Sequence, residues 1–196
     1  MEPTSSTDHG GTTLDDDQRQ ILLRVAAASI AHGLDEGQPL PFDPAAYPPP
    51  LLEPRATFVT LRLARELRGC IGTLEPIRPL VHDIIHNAFN AAFNDPRFAP
   101  LPRQEFDGLD VHLSILSPHE PLECEDEDDL VRKLQPGVDG LILQDGLHRG
   151  TFLPAVWESL PDPRRFIAQL KLKAGLSTTH WSDTIQFYRY TAESVP

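Results

Sequence analysis

Thr57-Phe58-Val59-Thr60-Leu61, then Leu67-Arg68-Gly69-Cys70-Ile71-Gly72 across the short polar connection Ala64 to Glu66, is the stretch on which the fold turns. β-Branched and aromatic residues give both runs strand character, and so short a connection brings them together as a hairpin. Upstream, Leu14, Gln18, Ile21, Leu22, Val25, Ala28 and Ser29 recur at helical spacing. Asp15, Asp16 and Asp17 favour the N-terminal dipole of that helix and Gly33 offers a left-handed stop. The run from Pro39 to Pro54 holds too many prolines for regular structure and reads as a long crossing loop. Downstream, Leu80, Ile84, Ile85, Ala88, Phe89 and Ala92 mark a second helix that closes before Asp95-Pro96, where proline disfavours continuation.

The remaining chain repeats this alternation. Val111, Leu113 and Ile115 alternate with His112, Ser114 and Leu116, which predicts a strand whose more polar face carries His112 and Ser114. Leu141-Ile142-Leu143 and Leu147 to Phe152 flank an Asp145-Gly146 hairpin signal. Phe166, Ile167, Leu170 and Ala174 share a helical face that Gly175 ends, and Ile185 and Phe187 alternate with Gln186, Tyr188 and Tyr190 in a last strand. Hairpins with helices between groups of strands indicate an α+β fold, mostly antiparallel, with its sheet flanked by helices. Residues 1–13, rich in Ser, Thr, Gly and acid, read as a disordered N-terminal tail, leaving one domain over 14–196.

Composition bounds the function. Of 196 residues 40% are hydrophobic and 23% charged, enough apolar surface for one sizeable core. Seventeen basic against 29 acidic residues give a net charge of −12, a field that repels phosphate backbones, so nucleic acid is not expected as a partner. No stretch reaches the roughly 18–20 apolar residues of a membrane span and no signal-like leader is present, which predicts a cytoplasmic protein without membrane association. Cys70 and Cys124 are the two cysteines, without CxxC spacing, as suits a reducing compartment.

Leu67-Arg68-Gly69-Cys70-Ile71-Gly72-Thr73 resembles the signature of the AMMECR family. So do Asn94-Asp95-Pro96-Arg97-Phe98, Leu113 to Pro118, Gly137 to Leu141, Arg149-Gly150-Thr151-Phe152-Leu153-Pro154 with Trp157, and Leu170 to Leu176 before Trp181, in the family's order. The resemblance covers roughly residues 14–190. It implies a compact α+β domain with a larger sheet-and-helix part and a smaller subdomain. It also implies a place as protein A of the AmmeMemoRadiSam system, with a Memo-type protein and a radical S-adenosylmethionine enzyme as partners. The chain lacks the CxxxCxxC cluster motif of a radical enzyme, so iron–sulfur chemistry falls to a partner.

Within these blocks Cys70 leads the candidates for chemistry. Gly69 and Gly72 leave room for a substrate or another backbone to approach its thiol, and Arg68 would favour the thiolate if the strand is regular through Gly69. An ordinary buried thiol is the competing reading. His112 is a candidate base, or a residue held by a structural hydrogen bond. Arg68, Gly69, Gly72, Arg97, Asp139, Arg149 and Trp157 are candidates for binding substrate or partner: Arg149 as a clamp on a carboxylate or phosphate, Trp157 as an interface anchor. Salt bridges and core packing explain the same residues structurally.

His82 and His86 stand one helical turn apart, but Asp83 replaces the glutamate of HExxH, so a solvated helix face is expected. The acidic run Glu123 to Asp129 lacks the EF-hand pattern, the glycines form no nucleotide loop, and no GxSxG elbow occurs. No tightly held metal, haem or flavin is expected. Cys70 and His112 with His82, His86 or His148 would be the set to gather if a metal were bound. The two functional expectations are therefore a Cys70-centred enzyme or small-molecule- or peptide-binding protein, and a non-catalytic scaffold.

Overall fold

The computed structural model describes residues 14–196; the tail expected over 1–13 lies outside the described residues. In chain order the elements are α1 (Asp16–Glu36), β1 (Thr57–Leu63), β2 (Glu66–Gly72), α2 (Leu80–Phe93), β3 (Leu109–Leu116), β4 (Glu120–Pro121), α3 (Glu127–Lys133), β5 (Gly140–Asp145), β6 (His148–Phe152), α4 (Pro163–Lys173), β7 (Gln186–Tyr190) and β8 (Ala192–Val195). The fold is α+β, with one four-stranded sheet of order β2-β1-β3-β8 and another of order β4-β7-β5-β6. The chain divides into two compact units. One runs through Ser117 and takes back 193–196, and the other is Pro118–Ala192.

In the first unit α1 starts with a reciprocal capping box. Asp15 Oδ1 accepts from the Gln18 N–H at 2.7 Å and Gln18 Oε1 from the Asp15 N–H at 3.0 Å. The helix does not stop at Gly33 as the sequence suggested. It runs one turn further to Gly37, whose φ of 69° supplies the left-handed cap. Gly33 is a packing glycine, since a Cβ there would lie 2.4 Å from Phe93 Cε2 of α2. The proline-rich crossing is also more ordered than expected. Prolines at the first positions preset 3₁₀ turns at Pro44–Ala46 and Pro49–Leu52, the second burying Leu51.

The β1–β2 hairpin closes through Ala64 and Arg65 at φ 51° and 73°, the positive values a type I′ turn demands, here without glycine. Leu22 and Ile30 of α1, Ile84 and Ala88 of α2, Val59 and Leu61 of β1, and Leu113 and Ile115 of β3 are fully buried in one core. Each large aliphatic side chain there contributes about 1.5–3 kcal/mol by leaving water. Beneath this core Asp83 of α2 ties the helix to the sheet. Its Oδ2 accepts from the Thr57 N–H at 3.0 Å, the Thr57 hydroxyl at 2.7 Å, the Thr73 hydroxyl at 2.7 Å and Asn87 Nδ2 at 2.9 Å.

In the second unit Leu141 and Leu143 of β5 and Phe187 of β7 pack with Phe166, Ile167 and Leu170 of α4. Asp162 caps α4, Pro163 opens it, and Gly175 at φ 80° follows its end. The β5–β6 turn falls one residue later than the Asp-Gly signal suggested. Asp145 still pairs with His148 in the ladder, so Gly146 and Leu147 make the turn, glycine taking the first central place at φ 59°. Asp126 caps α3 within the acidic run, and Glu127 reaches from α3 to the fully buried Lys171 of α4.

Candidate functional site

Register places the leading candidates in one row. Thr60 on β1 pairs with Cys70 on β2 to one side and with His112 on β3 to the other. Directly paired residues share a sheet face, so Cys70, Thr60 and His112 project together from the face opposite Val59 and Leu61. All three are half-buried. The Cys70 thiol meets the Thr60 hydroxyl at 3.3 Å. His112 stands two strand spacings from Cys70, about 9–10 Å between backbones. That exceeds the roughly 3 Å of direct proton transfer, so Thr60 lies where a relay would run.

The edge of β2 at Cys70 is closed by the loop after α2. Asp95 Oδ2 accepts from the Cys70 N–H at 2.9 Å and Arg97 NH2 donates to the Cys70 carbonyl at 3.0 Å. With both backbone groups turned outward, Cys70 and Thr60 form a non-hydrogen-bonded pair, the arrangement that brings cross-strand side chains closest. Asp95 and Arg97 are locked together, Arg97 Nε to Oδ1 at 2.9 Å and NH2 to Oδ2 at 2.6 Å. Hydrogen bonds from Arg97 hold the Asp95 carboxyl well below the usual carboxylate range despite its burial. The pair seals an edge strand that would otherwise offer unpaired backbone to another chain.

Arg68 does not serve the thiol. The ladder shifts register between Leu61 and Arg62, so the strand is not regular through Gly69. Arg68 Nε donates to Glu105 Oε2 at 2.7 Å, NH2 donates to the Ala99 carbonyl at 3.0 Å, and the guanidinium lies over Phe98. The two glycines are likewise explained by packing. A Cβ on Gly69 would meet the Ala91 carbonyl oxygen at 2.1 Å, and one on Gly72 would meet Phe58 Cγ at 2.2 Å. Gly69 therefore admits the backbone of α2, not a ligand. We expect Gly69→Ala to cost about 1–3 kcal/mol, since relief requires moving helix backbone. Chemical denaturation checks this, and an unchanged midpoint would show that the contact yields.

The other candidates lie in the second unit. Trp157 is 4% exposed, stacks on Phe166 at 3.8 Å between centroids, and donates through Nε1 to the Asp139 carbonyl at 2.7 Å. Asp139, also 4% exposed, accepts from the Gln135 N–H at 2.8 Å. Burial takes both out of any binding surface and makes them core and turn supports. Arg149 is exposed on β6, opposite Gln144. His148 Nδ1 contacts the Ala174 carbonyl at 2.9 Å.

His180 Nε2 and the Ser182 hydroxyl both reach the Asp145 carboxylate, at 2.6 and 2.8 Å. Both bind the same acceptor, so no Ser–His relay is formed. The His180, Thr184 and Ser182 hydrogen bonds bring the Asp145 pKa down to about 2. Among the described residues no group of three or more His, Cys, Asp or Glu gathers as metal ligands, so the Cys70–His112 metal set is not assembled.

His82 and His86 are half-buried and in mutual contact, not the solvated face expected, with Phe42 stacked on His82. Sequence reasoning missed Thr60, Asp95 and Glu105. The Asp95-Pro96-Arg97 turn carried a signal, since aspartate commonly binds the backbone two residues on, as the Arg97 N–H does here at 3.1 Å.

Fold and site together define an α+β protein with a sealed sheet edge behind a cross-strand thiol row. The AMMECR1 family profile matches residues 23–195, and the chain belongs to that family. It is 37% identical over 183 residues to a protein of Methanothermobacter thermautotrophicus, covering 90% of this chain and 93% of that one. To a protein of Thermococcus gammatolerans it is 40% identical over 189 residues, covering 91% and 89%. A crystal structure of the uncharacterised protein PH0010 from Pyrococcus horikoshii superposes with a TM-score of 0.86 at 36% identity, covering 92% of each chain. No helix among the described residues is long and apolar enough to cross a membrane.

Proposed function

We propose that this chain acts as protein A of an AmmeMemoRadiSam-type set in the cytoplasm, binding a small molecule or extended peptide over the β1–β3 face and meeting it with the Cys70 thiol. The observation that carries this reading is the row Cys70–Thr60–His112 on one half-buried face. A thiol, a hydroxyl and an imidazole there supply a soft nucleophile or ligand, a hydrogen-bond relay and a titratable group. Because Asp95 and Arg97 occupy the β2 edge at Cys70, the ligand approaches from the face and not by adding a strand. With Thr60 as the neighbour of Sγ, binding through the thiol comes before nucleophilic turnover, which would need His112 to act through Thr60 or through the ligand.

Alkylation of the native protein by iodoacetamide tests this. Cys70 is expected to react in a Cys124→Ser background and to be protected by ligand. Burial first, then the Asp129 charge, push the Cys124 thiol up. In a Cys70→Ser background alkylation should therefore be slow at neutral pH and rise only in stronger alkali. A Cys70 thiol that alkylates only after unfolding would remove the site.

The alternative, a scaffold docking a Memo-type protein and a radical S-adenosylmethionine enzyme, draws on Leu147, wholly exposed at the tip of the β5–β6 turn. Leu147→Ser should then abolish co-purification with such partners while leaving Cys70 alkylation unchanged.

A further inference from the structure

The pair His82 and His86 carries chemistry that the Cys70 row does not use. Both lie on α2 at positions four apart, on one face of the helix. Their Nε2 atoms approach to 3.1 Å. Phe42 stacks on the His82 ring at 4.3 Å between centroids with 5° between planes, which fixes the orientation of that imidazole. The His86 ring centroid lies 4.8 Å from that of His82.

Two imidazole nitrogens at this separation match two ligands of one metal ion. With metal–nitrogen bonds of about 2.0–2.1 Å, a 3.1 Å edge subtends roughly 100° at the ion, between octahedral and tetrahedral angles. We infer that His82 and His86 form a bidentate site for a borderline first-row divalent cation, Cu²⁺, Ni²⁺ or Zn²⁺. Imidazole suits these ions and the general affinity order favours copper among them.

Metal binding needs neutral rings. Burial, then the charge of Arg78, lower both imidazole pKa values, more strongly than Asp83 raises them. Arg78 opposes a second cation, but its charge is shared with Asp83 Oδ1 at 3.2 Å. No group of three or more His, Cys, Asp or Glu forms among the described residues, so water or an incoming donor would complete the coordination.

The test uses the full chain without an affinity tag. Cu²⁺ or Ni²⁺ is titrated into protein labelled with ¹⁵N-histidine, and paramagnetic broadening is followed for each ring. Broadening is expected first at His82 and His86. By calorimetry, His82→Gln and His86→Gln should each weaken Cu²⁺ binding by more than the roughly 10- to 100-fold that loss of an outer-shell partner costs. His119→Gln should leave it unchanged. Broadening first at other histidines, or equal affinity in wild type and a folded His82→Gln variant, would leave the pair as an N–H···N hydrogen bond and overturn the site. The wild-type arm needs no variant, so a substitution that fails to fold does not blunt the test.

Discussion

Asp83→Ala is expected to destabilise the first unit by about 3–5 kcal/mol, the range for removing one partner of a buried charged network. Asp83 is 1% exposed, and one of its oxygens gathers the Thr57 N–H and hydroxyl, the Thr73 hydroxyl and the Asn87 amide, while the other faces Arg78. Alanine removes the acceptor of the Thr57 N–H and of the Thr57 and Thr73 hydroxyls, while the Asn87 amide keeps the Thr57 carbonyl and hydroxyl, and it leaves Arg78 without its counter-charge. The Thr57 N–H lies at the start of β1 and Thr73 just after β2, so the loss loosens the hairpin that carries Cys70 from the helix beneath it.

At roughly 2–4 °C per kcal/mol for a chain of this size, the melting temperature should fall by about 6–20 °C. Trp157 and Trp181 both lie in the second unit. Far-ultraviolet circular dichroism or amide exchange in α2 must therefore report the change, not tryptophan emission. A shift of less than about 2 °C would mean that water replaces the carboxylate and that the network is not the tie between helix and sheet.

Asp83 also shows where the sequence stopped being informative. Its place on α2 is legible from the helical period of Leu80, Ile84, Ala88 and Ala92. Its burial is not, because an aspartate one residue before an apolar position reads as a solvent-facing charge until the partners Thr57 and Thr73, distant in the chain, are folded against it. The same holds at Gly33. Periodicity located α1, but a glycine that ends a helix and one that admits Phe89 and Phe93 look alike without the second helix. By contrast β1, β2, α2, β3, β5 to β7 and α4 were legible because period and turn chemistry are local.

The candidate site divides in the same way. Cys70 and His112 stand out as residue types within strand patterns, while their relation depends on register, which places Thr60 between them. Residue type and block membership alone leave Trp157 and Asp139 open between binding residues and structural supports. Their burial could not be seen without the stack on Phe166 and the carbonyl that receives the indole N–H.

Asp95→Asn should cost about 2–4 kcal/mol although it changes little in volume, because an amide has one acceptor oxygen where the carboxylate has two. In the native protein each oxygen serves two donors, Oδ2 the Cys70 N–H and Arg97 NH2, and Oδ1 the Arg97 N–H and Nε. In the variant an NH₂ group faces one of these donor pairs. Arg97, about half exposed, regains water when released, so most of the cost falls on the buried side, where the Asp95 side chain is 1% exposed and accepts from the Cys70 N–H.

The sign with pH follows from the depressed carboxyl pKa. The folded value lies below the unfolded value of about 3.9, so the stabilisation is fully present above that pH and is lost as acid protonates the folded carboxyl. Wild type and variant should therefore differ by a constant amount from about pH 5 upward and converge below about pH 4. A difference that persists unchanged into strong acid would show that charge at Asp95 is not what holds the edge. Faster amide exchange at Cys70 is the companion expectation. A freed edge strand also invites pairing with a second copy, so the variant should show stronger concentration-dependent association than the wild type.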